Sequence, residues 1–118
     1  MKRARERPLR TAREALTVIE RTLLNLRVDL VDRRDAVVLA ISREDQAVAE
    51  ATFRTALGEL RIALRGMPGA AEPLAGLRHW LCVCLQPRVR ERYSGLEMTR
   101  LLALHDVHRL GFVLGRYD

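Results

Sequence analysis

The chain has 118 residues, enough for a single domain with one modest core that needs no staples. Apolar residues make up 48% but aromatics only 4%, so the core must be built from Leu, Val, Ala and Ile, which suits helix-on-helix packing. Its two cysteines, Cys82 and Cys84, stand in a C-x-C spacing that is neither a disulfide framework nor a zinc signature, so a reducing cytoplasm is the expected compartment.

The net charge of +6 is unevenly spread. Lys2, Arg3, Arg5, Arg7, Arg10 and Arg13 against Glu6 give residues 1–13 a net +5, while 14–77 carry −2 and 78–118 carry +3. The basic N-terminus is followed by no apolar run, which argues against a signal peptide, and Glu6, Glu14 and Glu20 argue against a mitochondrial presequence. The longest aliphatic run, 36–41, is too short to span a bilayer, so no membrane association is expected.

In chain order, residues 1–10 read as a flexible basic arm preceding a single helical domain over 11–118. Thr11-Ala12-Arg13-Glu14 has the form of a capping box, with Leu9 where a hydrophobic staple would sit. Between Leu9 and Leu57 there is neither glycine nor proline. Leu16, Ile19, Leu23, Leu26 and Leu30 then step by 3, 4, 3 and 4, the stripe of an amphipathic helix. At the next position the stripe meets Arg33, although Asp29 and Arg33 form a favourable i,i+4 pair. Two long helices, about 11–41 and 43–65, are therefore expected. The alternative is a β-hairpin over about 26–41: Leu26-Arg27-Val28-Asp29-Leu30 alternates apolar with charged, and Ala36 to Ile41 holds two adjacent valines. Against it, Asp32-Arg33-Arg34-Asp35 lacks the Gly or Asn of tight hairpins.

Ser42 precedes Glu44 and Asp45, a helix start with acids in its first turn. Phe53, Leu57, Leu60 and Leu64 form the inward face, and Gly66-Met67-Pro68-Gly69 ends the helix. A third helix begins at Glu72-Pro73, buries Leu74, Leu77 and Leu81, and stops before Pro87. Ser94-Gly95-Leu96-Glu97 is a second capping box, leading into Leu101, Leu102, Leu104, Val107 and Leu110. The expected fold is all-α, a three- to four-helix antiparallel bundle.

The chemistry-bearing residues are few. His105 and His108 lie i,i+3 rather than at the i,i+4 spacing of metal-binding helices, so neither metal nor other cofactor is expected. Cys82 and Cys84 project about 200° apart on a helix and cannot pair. His79 lies one turn before Cys82, but no third group or oxyanion donor accompanies the pair, and no catalytic residue is assigned. Trp80 and four other aromatics are too few for a base-stacking platform. The stretch from Ile19 to Arg34 resembles the first helix of helical chorismate mutases, but the charged pattern that family carries further on is missing, and membership does not follow.

Two surfaces remain as candidates. The apolar tail assigns Leu110, Phe112, Val113 and Leu114 to an interface with a second copy or a helical partner. The basic arm assigns Lys2, Arg3, Arg5, Arg7, Arg10 and Arg13 to nucleic-acid contact through phosphates. The expectation is a cytoplasmic, dimeric, non-enzymatic interaction or regulatory protein; the alternative is a nucleic-acid-associated accessory protein.

Overall fold

In the computed structural model the backbone is described for residues 2–33, 36–86 and 96–116, and side chains for 7–28, 41–42, 44–86 and 96–116. Four helices form the body: α1 (Lys2–Asn25), α2 (Arg43–Ala63), α3 (Ala71–Cys84) and α4 (Leu96–Gly115). A two-stranded antiparallel hairpin, β1 (Asp29–Arg33) and β2 (Ala36–Ala40), stands between α1 and α2. The chain is a helical bundle, as expected, with a hairpin interposed.

Helix α1 differs from the expectation at both ends. It starts at Lys2, so residues 2–10 are helical rather than a flexible arm, and Thr11 lies inside the helix instead of capping it. The reason lies in the apolar stripe, which reaches further back than Leu16. Leu9, Ala12, Leu16, Ile19, Leu23 and Leu26 step by 3, 4, 3, 4 and 3, and all six are buried. Leu9 at 7% exposure anchors the N-terminal turns, while Ala, Arg and Glu there are good helix formers. Pro8 lies within this segment, where it donates no backbone hydrogen bond to the turn before it.

At its other end α1 stops at Asn25 instead of running to 41, and the hairpin takes the following residues. Its register pairs Leu30 with Leu39, Val31 with Val38 and Arg33 with Ala36. Val31, Val37 and Val38 lose χ1 freedom in a helix and fit a pleated strand, which outweighs the missing turn glycine. Among the described residues, the hairpin makes its substantial contacts only within itself.

Long-range polar contacts fix the directions of the helices. Arg100, near the start of α4, donates to the Leu26 carbonyl just past the end of α1, so these two helices run antiparallel. Gln46 at the start of α2 donates to the Leu85 carbonyl at the end of α3 (3.2 Å), and Glu72 at the start of α3 pairs with Arg109 late in α4 (3.2 Å). Both pairs are thus antiparallel as well. Around the core, α1 packs on α2 and α4, and α3 packs on α4, while α2 and α3 touch only sparsely. The fourth seam of the bundle is its open side. Ile19, Leu23, Leu60, Leu77, Leu81, Leu110 and Leu114 are fully buried at the centre.

The remaining helix ends follow the residues. The Ser42 hydroxyl accepts from the Asp45 amide (3.1 Å), with Glu44 and Asp45 in the first turn of α2. Gly66 and Gly69, at φ +74° and +84°, turn the chain into α3 in a conformation that costs other residues strain. The capping box at Ser94-Gly95 lies outside the described residues.

Candidate interaction site

Of the four interface residues read from the tail, three face the protein's own core. Leu110, Val113 and Leu114 are 0%, 7% and 1% exposed, whereas Phe112 is 68% exposed. A run of consecutive apolar residues on a helix points in several directions, and the bundle takes those within reach of α3 and α1. This corrects the assignment: only Phe112 is presented to solvent.

Phe112 belongs to a different set. Met98, Leu101, His105, His108 and Phe112 step by 3, 4, 3 and 4 along the outer face of α4, and all five are exposed. Opposite them, Leu96, Thr99, Ala103, Val107 and Leu110 are buried, and Leu102 and Leu104 on the flanks are half-buried. Apolar residues thus stand on both faces of α4, with His105 and His108 in the middle of the outer one. Arg116 lies over the Phe112 ring at 5.1 Å, and His108 reaches Glu20 of α1 at 3.8 Å. Met98 was not singled out from the sequence, and Leu101, read there together with Val107 and Leu110, is exposed rather than buried with them.

Between α3 and α4 lies a small polar cluster with one buried member. Asp106 is 4% exposed and accepts from Arg109 Nη1 at 3.1 Å, while Arg109 Nη2 reaches Glu72 at 3.2 Å. Glu72 first, and Asp106 with it, raises the Arg109 guanidinium above its ordinary value. Gly76 on α3 makes room for the Asp106 carboxylate. A Cβ at Gly76 would come within 3.0 Å of Asp106 Cγ and nearer still to Oδ2. This arrangement joins two helices and carries no sign of catalysis.

On the open side, α2 and α3 splay around a groove of about 450 Å³. Its walls are Arg54, Leu57, Gly58 and Arg61 from α2, and Ala71, Leu74, Ala75 and Arg78 from α3. On each helix these residues follow the pattern i, i+3, i+4, i+7. Arg54 pairs with Glu50 at 3.0 Å, while among the described residues neither Arg61 nor Arg78 makes an ion pair. The sequence concealed this site, because its two walls lie on helices joined only by the turn at 64–70.

The other candidates separate in space. Arg7, Arg10 and Arg13 are exposed on α1, and Lys2, Arg3 and Arg5 lie on the same helix with side chains outside the described set. Cys82 is exposed and its Sγ accepts from Gln86 Nε2 at 3.1 Å, while Cys84 is buried; neither forms a disulfide. His79 is exposed and stacks edge-on against Trp80, with centroids 4.7 Å apart. Among the described residues, no group of three or more His, Cys, Asp or Glu is placed to hold a metal ion, and no helix is long and apolar enough to cross a membrane.

No protein-family model, curated protein or solved structure matches the chain.

Proposed function

We propose that this is a small cytoplasmic, non-enzymatic interaction or regulatory protein that works through helix–helix contacts as a homodimer. One observation carries the reading: the exposed Met98, Leu101 and Phe112 that share the outer stripe of α4 with His105 and His108. The stripe is self-complementary. Met98 and Phe112 lie equally far in sequence from His105, so an antiparallel pair of α4 helices with its twofold axis there sets Met98 against the partner's Phe112. Thioether and ring then meet in a favourable contact. The apolar surface left in water by one chain is removed from it by two.

Light scattering on a sizing column tests this directly. The chain mass is 13.5 kDa, and the intact protein is expected at twice that value at micromolar concentration. Leu101→Glu and Phe112→Glu, at exposed positions, are expected to stay folded and run as monomers. An intact protein that remains monomeric throughout would overturn the dimer.

A second reading, nucleic-acid association, has one observation in its favour. Arg7, Arg10 and Arg13 are exposed on successive turns of a helix rather than on a loose arm, and a rigid basic ridge meets phosphates without an ordering cost.

A further inference from the structure

We infer that the groove between α2 and α3 is a docking site for an acidic amphipathic helix of a partner protein. Its form argues for a helix. The lining residues repeat at i, i+3, i+4, i+7 on both walls, so each wall is about two helical turns long, and the floor they make is apolar: Leu57, Leu74, Ala71 and Ala75. Helices α2 and α3 close the bundle only sparsely, so one more helix laid along the seam completes packing that the chain leaves open.

Its charge argues for an acidic occupant. Arg54, Arg61 and Arg78 stand around the floor, and Arg61 and Arg78 have no counter-ion among the described residues. The antiparallel run of the two walls, set by the Gln46–Leu85 contact, brings Arg54 level with Arg78 and leaves Arg61 near Ala71. Positive charge therefore sits at both ends of the apolar strip. A helix with Leu at i, i+3, i+4 and i+7, flanked by Glu or Asp, matches that distribution, and a basic helix is repelled by it.

Gly58 gives the site its depth. A Cβ at this position meets nothing within 4 Å, so the groove is open where the glycine stands. Gly58→Leu puts a side chain into that space without a clash at its Cβ and replaces a poor helix former by a good one, so it plugs the groove without weakening α2.

The inference extends the reading of a helix-binding protein, and it is independent of pairing along α4. The test uses a fluorescein-labelled peptide about four turns long, with Leu at the four anchor positions and Glu on the flanks, and a twin with Lys in place of Glu. Anisotropy with the full chain is expected to show the acidic peptide binding about threefold to a hundredfold more tightly than its twin, the range for three surface ion pairs together. Binding is expected to weaken with salt and to be lost in Gly58→Leu. In Arg61→Glu with Arg78→Glu the preference is expected to fall or reverse. Circular dichroism on each variant confirms the fold. Equal binding of the twins, no binding of either, or binding unaffected by Gly58→Leu would overturn the assignment. So would binding of dodecanoate by a groove that refuses the acidic peptide. Light scattering of the same samples reports α4 pairing separately, so a monomer that binds the peptide sinks only the dimer.

Discussion

Replacing Gly76 by alanine tests the packing of α3 on α4 with an unusual sign. In a helix interior, Gly→Ala ordinarily stabilises by about 0.5–1 kcal/mol, because alanine loses less backbone entropy. At Gly76 the new methyl would stand 3.0 Å from Asp106 Cγ and nearer still to Oδ2, a separation that side-chain carbons do not hold, so the carboxylate has to shift. The carboxylate cannot swing away cheaply. It is 4% exposed, and Oδ1 is held by Arg109 at 3.1 Å. Overpacking of this kind costs about 1–3 kcal/mol, so after the helix gain the net change is a destabilisation of up to about 2.5 kcal/mol, centred near 1 kcal/mol. For a chain of this length each kcal/mol lowers Tm by roughly 3–6 °C. Urea unfolding followed by circular dichroism measures it, with an unchanged m value expected. Asp106→Ala removes the obstacle, and in that background Gly76→Ala is expected to stabilise. Asp106→Asn keeps the shape and should keep the penalty. Gly111 supplies the control, since a Cβ there meets nothing within 4 Å and Gly111→Ala should stabilise by about 0.5–1 kcal/mol. The reasoning is refuted if Gly76→Ala stabilises as Gly111→Ala does, or if its effect is simply additive with Asp106→Ala.

Leu110→Ala, at a fully buried position, is expected to cost about 2–5 kcal/mol in urea unfolding, whereas Phe112→Ala changes the stability of the isolated subunit by less than about 1 kcal/mol and acts on the oligomeric mass instead. A thiol reagent should titrate Cys82 rapidly and Cys84 only on unfolding, which mass spectrometry of the labelled peptides can read. Pro8→Ala restores a backbone donor within α1, and hydrogen exchange at the amides of 6, 7 and 9 is expected to slow; unchanged exchange would mean the segment is secured by Leu9 alone. Should α1 bind duplex DNA or single-stranded RNA, Arg7→Gln with Arg10→Gln would reduce the slope of log affinity against log salt by about 0.7–0.9 per lost phosphate contact, and no binding at low salt would retire the nucleic-acid reading.

Much of the architecture was legible locally. The 3-4 spacing from Leu16 to Leu26 marked the buried face of α1, Ser42 with Glu44 and Asp45 marked the start of α2, and Gly66 to Gly69 marked its end. Each of these features depends on neighbours within one or two turns: a periodic apolar face, a hydroxyl beside orphan amides, a glycine free to take positive φ. The same local rules misjudged two boundaries. Thr11 has the chemistry of a cap, but burial of Leu9 and Ala12 rewards continuing the helix through it. Over 29–40 helix and strand propensities were nearly balanced, and backbone pairing of β1 with β2 adds a gain that neither segment has alone.

The sequence by itself determined that this chain is a bundle of amphipathic helices with an aliphatic core, and where most of those helices begin and end. Tertiary structure alone decided which apolar residues are left over. Leu110 and Phe112 differ little in hydropathy, yet one is sealed against α3 and α1 while the other stands in water, because the two point to different sides of α4. The Arg-lined groove has the same origin. Its walls, Arg54 to Arg61 and Ala71 to Arg78, form a site only because α2 and α3 run antiparallel and stay apart, and the spacing of residues along one chain carries no record of that distance.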